Sequence, residues 1–177
     1  MMLDLRFVAR DLRRLDETSA EVIACGIYRD ARPMTGLAGL VDWRLCGQLS
    51  RLAKQGFLLG EVGEVLAVPV RPRLPFDKLL VAGLGPRASF GDATFKKVLD
   101  RMITSITGLH CKKAIIELPG RGDEAIPAER AAEILLDLIG EDERDVLTFV
   151  EDTNGRERIE KRALERRREA IRSQAVR

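Results

Sequence analysis

Two short turns contain the residues of this chain that could bind a ligand. Gly83 and Gly85 enclose Leu84 after one buried apolar run, and Gly120–Gly122 follows another. Glycines between a strand and a helix bring backbone N–H groups close to a phosphate, and an arginine can bind it through two hydrogen bonds. Such a site would suit a nucleotide or another small anion. Its candidate residues are Arg29, Gly83, Gly85, Arg87, Gly120, Arg121 and Gly122.

The first turn also has a simpler interpretation, which we favour. A dinucleotide-binding turn carries the pattern G-x-G-x-x-G, whereas position 88 is Ala. Pro86 removes one backbone donor from the same turn. The sequence therefore predicts a tight strand-to-helix turn, with anion binding by the loop and Arg87 as the alternative.

Side chains that could perform catalysis are few. His110 is the only histidine, and it stands beside Cys111, where neighbouring side chains usually point apart. A Ser-His-Asp triad would depend on the same histidine. A catalytic metal centre needs several metal-binding side chains that converge and leave one coordination position open. The sequence shows no such set. We expect no catalytic residue, no metal ion and no cofactor, and therefore a protein that is not an enzyme.

Composition limits the partners and the compartment. The 177 residues include 30 Lys+Arg and 28 Asp+Glu, and the resulting net charge of +2 does not indicate a dedicated nucleic-acid-binding protein. Three cysteines without C-x-x-C spacing are typical of reduced thiols in a cytoplasm. No apolar run approaches the roughly 20 residues of a membrane helix. We expect a cytoplasmic protein with no membrane contact.

The elements that must position the two turns alternate between strands and helices. Short apolar runs predict strands at Leu3–Val8, Val22–Tyr28, Val65–Val70, Lys78–Leu84, Lys113–Leu118 and Asp145–Val150. Helical spacing predicts a turn at Asp11–Leu15 and helices over Gly36–Phe57, from a cap at Ser89 to Leu109, from Pro127 to Gly140, and over Asn154–Ala175. The short link after Pro69 makes the third and fourth strands antiparallel neighbours. The pattern predicts a three-layer α/β/α sandwich around a mixed, roughly six-stranded sheet.

Two surface features suggest contact with a partner. Trp43 lies nearly opposite the apolar stripe of its helix. In the interpretation that we favour, a loop or a second layer partly covers it. In the other it is an exposed anchor for a partner subunit. The last helix is rich in Arg and Glu, and we expect it to be weakly attached towards its end. Its densest basic cluster is Arg166, Arg167 and Arg168, which could contact phosphates of DNA.

Four stretches of the sequence carry a family resemblance through their order and their residues. They are residues 36–70, residues 78–99, residues 112–120 with the sequence KKAIIELPG, and, more loosely, residues 127–172. Together they resemble the N-terminal domain of the leucyl aminopeptidases, the cytosol aminopeptidase family. The resemblance implies a fold similar to the macro domain, a mixed six-stranded sheet between helices. We expect residues 1–153 to form this domain and residues 154–177 to form an appended or packed helix.

The resemblance also implies a role outside catalysis. In the family this domain precedes a metal-binding peptidase domain, contributes to hexamer assembly and, in some bacterial members, takes part in DNA binding. We expect this chain to lack the peptidase domain. We therefore assign none of the family's metal ligands to residues of this chain. We expect a stand-alone module for interaction, oligomerisation or regulation, whose partner is a second copy or a full-length aminopeptidase. The alternatives are a module for a nucleotide or other anion, and DNA binding through the last helix, which is not favoured.

Overall fold

A computed structural model describes residues 5–139 and 146–175. In these ranges the elements follow in the order β1 (Arg6–Val8), α1 (Leu12–Asp16), β2 (Val22–Ile27), α2 (Gly36–Arg44), α3 (Gln48–Lys54), β3 (Val65–Pro69), β4 (Lys78–Gly83), α4 (Asp92–Gly108), β5 (Lys113–Ile116), α5 (Ala128–Ile139), β6 (Val146–Val150) and α6 (Thr153–Ala175). Among the described residues, no helix is long and apolar enough to cross a membrane.

The six strands form one mixed sheet in the order β1-β6-β5-β2-β4-β3. All neighbouring pairs are parallel except β3 and β4, which pair antiparallel from Val65 opposite Ala82 to Pro69 opposite Lys78. Pro69 ends the edge strand β3, where its missing N–H costs no ladder hydrogen bond. The predicted mixed six-stranded sheet is confirmed.

The helices cover both faces of the sheet. Val22 and Ala24 of β2 pack into a core with α4, α5 and the start of α6. Ile23 and Cys25, which alternate with them, pack into a second core with α1, α2 and α3. Because both faces are buried, the strand reads as a continuous apolar run. The predicted three-layer α/β/α sandwich is also confirmed.

The helix predicted over Gly36–Phe57 is two helices. Cys46 and Gly47 adopt left-handed backbone conformations, with φ of 55° and 76°, which end α2 and begin α3. Asp42 stabilises the break because its carboxylate accepts hydrogen bonds from the N–H groups of Leu49 (2.8 Å) and Ser50 (3.2 Å). The apolar spacing continues across the break, so periodicity alone did not predict it.

The predicted cap of α4 is also wrong. Ser89 ends a 3-10 turn (Arg87–Ser89), where its hydroxyl donates to the carbonyl of Pro86, and Gly91 precedes the first residue of α4. Three predicted ends lie outside the described residues. They are the strand start at Leu3, the helix end at Gly140 and the strand start at Asp145.

A ladder of ion pairs joins α6 to α5. Three arginines of α6, four residues apart, contact three acidic residues of α5, also four residues apart. The pairs are Arg158–Glu129 (2.6 Å), Arg162–Glu133 (2.9 Å) and Arg166–Asp137. Because the partner numbers rise together, the two helices run parallel. Ile159 is fully buried in the core below the ladder, so the first half of α6 is firmly attached. The division of the chain at residue 153 stays a prediction.

Candidate functional site

Three loops meet at the carboxyl edge of the parallel strands. Tyr28 follows β2, and its hydroxyl donates to Asp123 after β5 at 2.9 Å. Arg87 follows β4, and its Nε donates to the other oxygen of Asp123. The guanidinium carbon of Arg87 also lies 5.5 Å from the centre of the Tyr28 ring. The loops after β2, β4 and β5 therefore lie at one edge of the sheet, and Asp123 joins them.

The three candidate arginines bind three different carboxylates. Arg29 pairs with Glu61 at 3.2 Å on the surface, and Arg87 pairs with Asp123. Arg121 is 2% exposed and pairs with Glu151 at 2.8 Å. The structure therefore does not bring these guanidinium groups together as a shared phosphate clamp. For Arg121 the reason is burial, since its donors point into the protein.

The Gly83–Gly85 turn is closed by protein contacts. The N–H groups of Leu84, Gly85 and Arg87 donate to Ile27, Gly60 and Asp30 at 2.8–2.9 Å. A Cβ at Gly83 would lie 2.0 Å from the carbonyl oxygen of Glu61, so glycine is needed for close packing of the backbone. These contacts support the strand-to-helix interpretation, because the donors that would cradle an anion are engaged.

The Gly120–Gly122 turn is closed in a similar way. A Cβ at Gly120 would lie 2.4 Å from the ring of Phe90, and a Cβ at Gly122 would lie 2.9 Å from the Cα of Gly36. Gly36 is the first residue of α2. The glycines of this turn let α2 approach β5, and this approach encloses Glu117.

Glu117 is a buried carboxylate that caps α2 from another element. It is 4% exposed, and its two oxygens accept the N–H of Leu37 at 3.0 and 3.1 Å. Thr35, the residue before α2, makes no capping hydrogen bond with its side chain. Arg10 also donates from Nε to Glu117 at 2.6 Å. Burial, partly offset by Arg10, raises the pKa of Glu117 to about 7.

A second buried pair lies beside Glu117. Arg121 donates to both oxygens of Glu151 at 2.8 and 3.1 Å, and to the carbonyl of Ile126 at 2.8 Å. Arg10 links the two pairs, since its Nη2 lies 4.0 Å from Glu151. Two arginines and two glutamates thus form an interlinked cluster at the ends of β1, β5 and β6. This cluster joins the loops that follow these three strands.

Our interpretation of the sequence missed Arg10, Glu117 and Glu151 as a site. A signal was present, because Glu117 and Glu151 each directly follow a buried apolar run, as Ile-Ile-Glu and Phe-Val-Glu. A charged residue at that position lies at the carboxyl edge of the sheet. The prediction instead placed the candidate site at the glycine- and arginine-containing turns, Gly83–Arg87 and Gly120–Gly122.

Trp43 lies on an open surface at the bend between α2 and α3. Its side chain is 74% exposed, so the interpretation in which a loop or second layer covers it is wrong. Trp43, Met34 and Cys46 line a groove of about 750 Å³ beside the bend. An exposed tryptophan at the edge of a groove is a typical anchor for a protein partner.

The basic cluster of α6 is divided by its contacts. Arg166 faces α5, where it binds Asp137 and donates to the carbonyl of Glu133 at 2.9 Å. Arg167 and Arg168 are exposed. Over residues 5–139 and 146–175, no group of three or more His, Cys, Asp or Glu side chains could hold a metal ion.

Comparison with known proteins identifies the family. The chain matches the profile described as the cytosol aminopeptidase family, N-terminal domain, over residues 17–143. The chain belongs to this family. The resemblance derived from the four stretches is therefore confirmed.

Relatives of this family member are longer than the chain itself. A probable cytosol aminopeptidase of Halorhodospira halophila is 33% identical over 117 residues, which is 64% of this chain and 23% of the relative. The chain spans a quarter or less of the length of the curated relatives it matches.

Solved structures confirm the macrodomain-like fold. The macrodomain of Mycobacterium tuberculosis DarG superposes with a TM-score of 0.67 at 15% identity, covering 85% of this chain and 99% of that one. A mutant of tomato leucine aminopeptidase superposes with a TM-score of 0.60 at 13% identity, covering 90% of this chain and 36% of that one.

Proposed function

We propose that this member of the cytosol aminopeptidase family is a non-catalytic module for protein assembly, in the cytoplasm. Its partner is a second copy of the chain or a full-length aminopeptidase of the family. The observation that carries the proposal is the exposure of Trp43 beside the groove at the α2–α3 bend. Tryptophan is enriched among residues that dominate binding energy, and burying a large aromatic side chain stabilises a complex substantially.

The carboxyl edge of the sheet supports a non-catalytic role. Ligands of open α/β sheets bind at this edge. Here the Arg10–Glu117 and Arg121–Glu151 pairs and the closed glycine turns fill it. The matched part of the family is also its N-terminal domain. Binding of a nucleotide or other anion at the turns is an alternative proposal, which these contacts do not favour.

The position of Trp43 provides a direct test, because it is the only tryptophan of the chain. Its fluorescence reports on this one surface. As protein concentration rises, we expect its emission to shift to shorter wavelength and its quenching by acrylamide to fall, because assembly removes the ring from water. The same change on adding a full-length cytosol aminopeptidase would identify that partner. An emission that stays solvent-exposed in both titrations would contradict the proposal.

A further inference from the structure

The outer face of α6 carries a mixed basic and apolar stripe. The arginines that bind α5 are four residues apart, so they share one side of the helix. At 100° per residue, the side of α6 that faces away from the protein carries Glu157, Lys161, Leu164, Arg168, Ile171 and Arg172. We call them the α6 stripe.

The α6 stripe carries a net positive charge, because Lys161, Arg168 and Arg172 outnumber its one acidic residue, Glu157. Lys161, Arg168, Arg172 and the adjacent Arg167 make no ion pair or hydrogen bond through their side chains within the described residues. The acidic residues of α6 are mostly engaged elsewhere. Arg156 binds Glu160, and Arg162 binds Glu165 and Glu169.

Two large apolar side chains lie within this basic surface. Leu164 is 49% exposed and Ile171 is 58% exposed. They are seven residues apart, which is two helical turns, so they lie in line along the stripe. A surface that bound only phosphates would need the cations and not the line of apolar residues. A second copy of α6 is unsuitable as a partner, since Arg167 and Arg168 would face like charges.

We propose that the α6 stripe binds an acidic amphipathic helix of a partner protein. The apolar residues of that helix would pack on Leu164 and Ile171, and its flanking carboxylates would pair with Lys161, Arg168 and Arg172. This is the helix-on-surface mode of recognition, in which apolar anchors supply affinity and charge sets the choice of partner. The stripe lies on the α4–α6 side of the sheet, opposite the layer that carries Trp43.

The test uses a designed helical peptide labelled with fluorescein as the probe. It carries leucines seven residues apart with glutamates on both sides, and its binding to the full chain is followed by anisotropy. We expect saturable binding that weakens as salt is added. The double variant R168E/R172E and the double variant L164S/I171S should each weaken binding about tenfold or more. K96E/K97E is the matched control, since it reverses two exposed lysines on α4, and it should bind as the wild type does.

Several results would overturn the inference. One is that the acidic peptide shows no binding, or that R168E/R172E binds it as tightly as the wild type does. Another is that a peptide with lysines in place of the glutamates binds as tightly as the acidic one. A third is that duplex DNA or anionic vesicles bind where the peptide does not. Circular dichroism of each variant shows whether it is folded. Trp43→Ser should leave peptide binding unchanged, so failure of this inference and failure of the proposed assembly role are distinguishable.

Discussion

Arg121 and Glu151 form a bidentate ion pair that is almost fully enclosed. Two hydrogen bonds of 2.8 and 3.1 Å join them, and their side chains are 2% and 1% exposed. A third donor of Arg121 reaches the carbonyl of Ile126. A residue that the sequence suggested for binding a ligand thus joins the loop after β5 to the end of β6.

Replacing one partner of the buried pair should strongly destabilise the fold. Arg121→Met leaves the carboxylate of Glu151 buried without its cation, and we expect a loss of about 3–5 kcal/mol in the free energy of unfolding. Urea denaturation measures it. The double variant R121M/E151L should recover much of the loss, because apolar replacements of similar size remove both charges. Additive losses in this double-mutant cycle would show that the pair is not coupled.

Stability should depend on pH through Glu117. Its pKa in the folded protein is raised by burial from 4.5 to about 7. The folded protein therefore keeps the proton to higher pH than the unfolded chain does. The resulting stabilisation is full below about pH 4.5 and is lost as the pH rises through 7, by an amount on the order of 3 kcal/mol.

Glu117→Gln isolates this contribution, because the amide stays neutral at every pH. Urea denaturation of both proteins should show E117Q gaining stability relative to the wild type between pH 5 and pH 8. Other carboxylates, such as Glu129 with a pKa lowered by Arg158, titrate alike in both proteins and cancel. A difference in stability that stays constant over this range would refute the role given to Glu117.

The closed turn after β4 should not tolerate a side chain. Gly83→Ala places a Cβ 2.0 Å from a backbone oxygen, and we expect a loss of several kcal/mol, on the order of 2–4, from the shift this requires. Gly91→Ala is the control, since nothing lies within 4 Å of its Cβ. Thermal unfolding compares the two. Equal melting temperatures would mean that the turn is open enough to admit other groups.

Most of the fold could be predicted from short-range patterns. The strands β2 and β4 are buried on both faces, so they appear as apolar runs, and α4 shows its apolar stripe over 17 residues. The bend at Cys46 and Gly47 was missed because the apolar spacing continues across it, although Gly47 is itself a signal for the end of a helix. The buried cluster depends on long-range contacts, 80 residues apart for Leu37 and Glu117. Spacing along the chain does not encode such contacts.

Small anions should fail to stabilise the protein. The N–H groups of Leu84, Gly85 and Arg87 are engaged within the protein, and Arg121 is buried. We therefore expect phosphate, ADP and ADP-ribose at millimolar concentration to leave the melting temperature unchanged, since a ligand that binds the folded state would raise it. A saturable increase that disappears in Arg87→Ala would contradict this prediction and support the ligand-binding alternative.

The molar mass in solution tests the assembly role most directly. Light scattering over a concentration series should give the wild type a mass that rises to a multiple of 19.8 kDa, or co-elution with a full-length cytosol aminopeptidase. Trp43→Ser should abolish the association without loss of stability, whereas Phe57→Ser, which removes another exposed aromatic ring, should not. A wild-type mass of 19.8 kDa at every concentration, with no co-elution, would contradict the proposed function.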